Sequence, residues 1–198
     1  MKYQKTIGVL AFHGDVIEHI EATKNASKNL QLDIEIVPVR TKDIINTLDA
    51  LIIPGGESTT LHKLCVREGM WEKMKKVKNI FGTCAGAIML SKTIHHKSAD
   101  QKTLELMDIE IDRNAYGRQT DSFEKDVISS LGNIHSVFIR APRIIKIGKE
   151  VKILARNEKE IIACEERVEN NYYLAACFHP ELSTTLFHEY FIKEIYRV

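Results

Sequence analysis

The sequence predicts a single-domain α/β protein built on a largely parallel sheet. Three observations carry this. Short apolar runs alternate with amphipathic stretches through the first half, the pattern of strand–helix–strand crossover units. Each run is almost continuously apolar, as in strands buried on both faces. The 198 residues suit one domain with a sizeable core, and no repeat, low-complexity tract or linker divides them.

Taken in order, Thr6–Phe12 reads as the first buried strand. Gly14-Asp15 then opens an amphipathic helix carrying Val16, Ile20 and Leu30 among charges. Ile34–Val39 is the second strand, Thr41–Thr47 a helix, and Ala50–Ile53 a third strand that stops at Pro54-Gly55-Gly56. Helical sequence runs from Ser58 to about Lys78, interrupted near Gly69, and Asn79–Phe81 is a short strand leading into Gly82. In the second half, strands are expected at Leu106–Asp112, Ser136–Ile139, Ile144–Ile147, Val151–Ala155, Glu160–Cys164 and Tyr172–Phe178. A final helix spans about Ser183–Tyr196.

Composition narrows the function. Lys plus Arg number 28 against 27 Asp plus Glu, so net charge drives no broad nucleic-acid or membrane binding. The basic run Lys73–Lys78 reads as a solvated helix face. No apolar stretch approaches the ~20 residues of a membrane span, and the polar opening at Met1–Thr6 carries no signal-peptide pattern. Cys65, Cys84, Cys164 and Cys177 form no C-x-x-C pair, and the expected setting is the cytoplasm, with thiols reduced.

Gly82-Thr83-Cys84-Ala85-Gly86 lies between a strand and a helix. This is the nucleophile-elbow spacing, with cysteine in place of serine. A sharp turn there needs small flanking residues, and it lifts the nucleophile out of the sheet. The helix start behind it offers backbone N–H groups, so the Ala85 N–H is a natural oxyanion donor. The other three cysteines lie in apolar segments and read as core.

A cysteine nucleophile needs a base, and the base needs a group that holds it. His179 follows the strand ending at Phe178, at a strand's C-terminal end, where open α/β sheets place their sites. Glu181, two residues on, points to the same side in extended chain and is placed to orient the imidazole. The remaining histidines lack such a setting, and no metal site is expected. Pro54-Gly55-Gly56-Glu57-Ser58 lacks the phosphate-loop spacing. Its adjacent glycines suit a second oxyanion donor at Gly55 and Gly56, with Ser58 as a helix N-cap.

Seven segments in order resemble one family: Gly14-Asp15, Pro54–Thr60, Gly82–Gly86, Arg113–Gln119, Asp121–Glu124, Phe138–Pro142 and Phe178–Leu182. The chain resembles the glutaminase subunits of pyridoxal 5′-phosphate synthase, within the class I glutamine amidotransferases, over nearly its whole length. Pro-Gly-Gly-Glu-Ser and Gly-x-Cys-x-Gly indicate only the wider class. The Arg113–Glu124 blocks and Phe-Ile-Arg-Ala-Pro select the narrower family.

The resemblance implies a three-layer α/β/α sandwich, flavodoxin-like, and a triad of Cys84, His179 and Glu181. It implies contacts to L-glutamine from Gly56, Glu57, Ser58, Arg113, Ile139 and Arg140. Arg113 or Arg140 would pair with the substrate's α-carboxylate, or else form a structural salt bridge. It implies no cofactor, since pyridoxal phosphate is the pathway product. The implied partner is a barrel-shaped synthase subunit in a large hetero-oligomer. Service to another synthase and a catalytically silent scaffold are the alternatives. One departure stands out: the family commonly has Leu-Gln-Gly where this chain has Phe12-His13-Gly14.

Overall fold

A computed structural model describes residues 4–113 and 122–196. The first half alternates as expected: β1 (Lys5–Leu10), α1 (Val16–Asn29), β2 (Ile34–Val39), α2 (Lys42–Ile45), β3 (Ala50–Ile53), α3 (Ser58–Arg67), α4 (Trp71–Met74), β4 (Asn79–Thr83) and α5 (Ala85–Leu90). Then come β5 (Ser91–His95), β6 (Met107–Asp112), β7 (Ser122–Ser129), β8 (Gly132–Ile139), β9 (Arg143–Ile147), β10 (Lys152–Asn157), β11 (Glu160–Val168) and β12 (Asn171–Ala176). A 3-10 turn at Pro180–Leu182 precedes α6 (Leu186–Tyr196).

The strands form one sheet in the order β2-β1-β3-β4-β12-β11-β10-β7-β8, with β9 pairing β11 and β6, and β6 pairing β5. Pairing is parallel from β2 through β12, so β1, β3, β4 and β12 end on one edge. Beyond β12 the order continues with antiparallel pairs. That extension belongs to the second-half strands, which follow one another without crossover helices.

The three layers follow from period-two burial in the central strands. Leu51, Ile53, Ile80 and Tyr173 face a core with Leu61, Trp71 and Met74 of α3 and α4. Ala50, Ile52, Phe81 and Leu174 face the opposite core, with Ala26 of α1 and Phe187, Phe191 and Ile192 of α6. Strands buried on both faces give the continuous apolar runs of the sequence.

One sequence-level break holds, and other readings change. The break near Gly69 is real: α3 ends before it and its backbone is left-handed, with φ +66°. The last helix begins at Leu186, three residues later than expected, because Pro180–Leu182 wind as a 3-10 turn. The sequence predicts neither β5 nor β7; Glu124, Lys125 and Asp126 give β7 a largely solvent-facing composition. Finally, Ser58 is not the N-cap of α3. Glu57 is, accepting the Thr59 and Thr60 N–H groups at 3.0 and 2.6 Å.

Candidate active site

Four chain segments leave the parallel edge side by side and build the site: residues 11–15 after β1, 54–57 after β3, Cys84 after β4, and 177–181 after β12. Sites in open α/β sheets sit outside this edge because successive connections diverge there. Between the segments lies a cavity of about 530 Å³. Gly14, Asp15, Gly56, Glu57, Ser58, Cys84, Ile88, Arg113, Ile139, Arg140 and His179 line it. Every expected triad and glutamine-contact residue is therefore in this wall, except Glu181, which stands behind His179.

The elbow has a steric explanation. Cys84 has φ +49° and ψ −105°, a left-handed conformation that costs an ordinary residue about 1–3 kcal/mol. Its N–H is fixed to the Ala176 carbonyl at 2.8 Å, which ties the turn to β12. A methyl group on Gly82 would strike the backbone of Gly86, and one on Gly86 would strike the Ile53 carbonyl. The two glycines let α5 start directly against β3 and β4. Ala85 is the first residue of α5, where an N–H has no intrahelical acceptor.

His179 is 3% exposed, and its own N–H is held by the Val137 carbonyl at 2.8 Å. Nδ1 lies 2.7 Å from Glu181 Oε1 and 2.9 Å from Asp15 Oδ2. Nε2 has no in-line partner among the described residues. Burial alone would depress the His179 pKa, but Cys84 and Glu181 beside it push it up to about 10. Burial would raise Glu181, but His19 and His179 hold it well below the usual carboxylate range. Asp15 moves the other way, raised mainly by burial. Asp15, His179 and Glu181 converge like metal ligands. Their 2.7–2.9 Å spacings are hydrogen-bond lengths, shorter than the ~3.3 Å between donors 2.0–2.1 Å from a tetrahedral zinc.

The opposite wall is a polar lattice. Arg113 reaches Glu57, the Thr59 hydroxyl at 2.8 Å, Ser98 at 3.1 Å and the Gln101 side-chain carbonyl at 2.8 Å. Gln101 also donates to Ser58 Oγ at 2.7 Å. Burial would raise Glu57, but hydrogen bonds from Thr60 and Thr59 bring it down to about 2. Ile139 presents its carbonyl 3.9 Å from Cys84 Sγ, and Arg140 next to it is also left-handed, with φ +45°. The sequence blocks at Asn114–Gln119 and Asp121 lie outside the described residues.

Three residues escaped the sequence reading. Asp15 reads in the sequence as a helix opener, yet it touches His179. His19 and His188 carry no site signal in the sequence, yet both are buried in a group behind Glu181. The available signal was a histidine on each helix's apolar face; the partners that give it meaning lie as far as 169 residues away.

A cysteine on a strained elbow, beside a histidine held by a carboxylate, is the arrangement that cysteine-dependent amidotransferases and hydrolases on α/β folds share. Residues 9–197 match the family model of the SNO glutamine amidotransferase family, and the chain belongs to that family. The pyridoxal 5′-phosphate synthase subunit PdxT of Pyrococcus horikoshii is 43% identical, over 96% of this chain and 98% of its own. The protein of the same name from Methanothermobacter thermautotrophicus is 43% identical, over 96% of each chain. A solved glutamine amidotransferase superposes with a TM-score of 0.80 at 39% identity, covering 96% of this chain and 98% of that one.

Proposed function

We propose that this chain hydrolyses L-glutamine to glutamate and ammonia through a thioester on Cys84, and passes the ammonia to the synthase subunit of pyridoxal 5′-phosphate synthase. The observation that carries the reading is the His179 Nδ1–Glu181 contact of 2.7 Å beside Cys84, in a chain of the SNO glutamine amidotransferase family.

In this reading His179 takes the Cys84 proton, and Sγ attacks the side-chain amide carbon. The oxyanion is held by the Ala85 N–H and the Gly55-Gly56 loop; one such donor is worth about 10²–10³ in rate. The C–N bond then breaks, and the imidazolium protonates the departing ammonia. Water, activated by His179, adds to the thioester; the C–S bond breaks and the proton returns to sulfur. Glu181 keeps the Nδ1 proton in place throughout. Gly56, Glu57, Ser58 and Ile139 shape the pocket, and Arg140 and Arg113 face the substrate's α-carboxylate. Arg113 is already tied to Glu57, so it acts as a fixed wall charge.

Ammonia is protonated readily in water, so transfer through a dry route to a barrel-shaped synthase suits the chemistry. It also requires low activity without that partner. A large hetero-oligomer and a cytoplasmic setting complete the reading, and the four unpaired, buried cysteines suit a reducing compartment.

The test is covalent trapping. A diazo-ketone analogue of glutamine, added to the chain with its synthase, is expected to add once, at Cys84, by peptide mass mapping. Cys84→Ala is expected to remain unmodified. Labelling elsewhere, or none, would contradict the assignment.

A further inference from the structure

Behind the triad, α1 and α6 each contribute a buried histidine that the mechanism above leaves unused. His19 is fully buried and His188 is 1% exposed. His19 Nε2 lies 2.9 Å from the hydroxyl of Thr83, the residue that precedes the nucleophile. The same nitrogen lies 3.2 Å from Glu181 Oε2, the carboxylate oxygen facing away from His179. His19 Nδ1 lies 3.0 Å from His188 Nε2. One imidazole thus touches both the strand that holds Cys84 and the carboxylate that holds His179.

We propose that His19 is a positioning residue that holds Glu181 ionised and aimed at His179, and that His188 fixes the tautomer His19 needs. The proposal rests on the reading of Cys84, His179 and Glu181 as the triad.

Proton placement supports it. Glu181 has no exposed side-chain surface, and its Oε2 has no in-line hydrogen bond donor among the described residues. A carboxylate buried this way needs compensating N–H groups nearby. A lone pair on His19 Nε2 would face that oxygen at 3.2 Å and be repelled, so Nε2 carries the proton. It points to Thr83 Oγ1, with the carboxylate alongside. With the His19 ring proton on Nε2, Nδ1 is the acceptor and requires a donor. His188 supplies it: burial depresses its pKa to about 3, so it is neutral and has one N–H. His188 Nδ1 has no partner among the described residues, which places that proton on Nε2, against His19. The result is one ordered run of N–H groups: His188 Nε2–H donates to His19 Nδ1, and His19 Nε2–H donates to Thr83 Oγ1 while lying 3.2 Å from Glu181 Oε2, with His179 on the far side of the carboxylate. Outer partners of this kind set which ring nitrogen of a working histidine carries its proton.

The alternative is plain packing, since both rings also contact Phe81 at centroid distances of 6.3 and 5.4 Å. Kinetics separate the two in the assembled complex with the synthase. His19→Leu is expected to lower kcat about 10- to 100-fold, with KM within about twofold. His19→Gln, whose amide nitrogen reaches where Nε2 sits, is expected to restore most of the loss. A His19→Leu chain as active as its parent overturns the proposal. So does His19→Gln activity no better than His19→Leu at equal thermal stability. If His19→Leu does not fold, nitrogen NMR of the histidine-labelled parent chain decides. A proton on Nε2 of both His19 and His188 supports the proposal; one on Nδ1 of His19 overturns it. A Cys84→Ala chain that still releases glutamate overturns the triad reading beneath it. An inert Cys84→Ala chain beside a fully active His19→Leu chain overturns the role of His19 alone.

Discussion

Replacing Gly55 by alanine puts a methyl group into space that His179 now occupies. The added carbon would lie 3.2 Å from His179 Nδ1 and 3.4 Å from Cys84 Cβ, and closer still to His179 Cε1. It intrudes on the ring by roughly 1 Å, given carbon–carbon contacts of about 3.5–4.0 Å. The turn is held by β3 and the ring by Glu181, so one of them must move. Overpacking of this size costs about 1–3 kcal/mol of stability. For a chain of this length that lowers Tm by ~2–4 °C per kcal/mol. Catalysis should suffer more, because a 1 Å misplacement of a reacting group costs about 10²-fold. The assay is synthase-stimulated glutamate release, with Tm measured on the same sample. The expected result is kcat down about 10²-fold in a folded chain. Activity within threefold of the parent would refute the claim that this loop sets the position of His179.

Three further outcomes follow from the same geometry. Glu181→Gln preserves shape but removes the charge that orients His179; kcat is expected to fall about 10²–10⁴-fold with KM nearly unchanged, read by steady-state kinetics. His188 is buried neutral, with its pKa near 3 in the folded chain against 6.5 in the unfolded one. Below pH 6.5 the unfolded chain binds the extra proton, so this group weakens the fold progressively as pH falls from 6.5 toward 3. His188→Gln is expected to flatten that part of a Tm-against-pH curve, and an unchanged slope would contradict the assignment. Glu57→Ala removes the cap of α3 and one partner of Arg113; about 1 kcal/mol of stability should go, with KM for glutamine rising, by denaturant melts and kinetics.

Much of this site was legible because its constraints are local. Gly82 and Gly86 flank Cys84 at fixed spacing since backbone meets backbone there, and only glycine allows it. Glu181 follows His179 by two residues since both hang from one short turn. The apolar runs read as buried strands because both faces of the central sheet are covered. The misses have equally physical causes. β7 carries charges on a solvent-facing hairpin, so its periodicity is hidden. Ser58 has the better capping side chain by type, but Glu57 reaches forward to accept the Thr59 and Thr60 N–H groups, and Ser58 is engaged by Gln101. His19 and His188 meet only when α1 and α6 pack on the same face of the sheet, a tertiary fact that no local pattern states. Asp15 likewise reaches His179 only across the sheet edge.

The most direct measurement is glutamate release from glutamine by the purified chain, with and without a synthase subunit from the same source, using Cys84→Ala as control. The account requires release that rises sharply with the synthase and vanishes in Cys84→Ala. Equal release with and without the synthase would contradict the gating, and release that survives in Cys84→Ala would contradict the nucleophile.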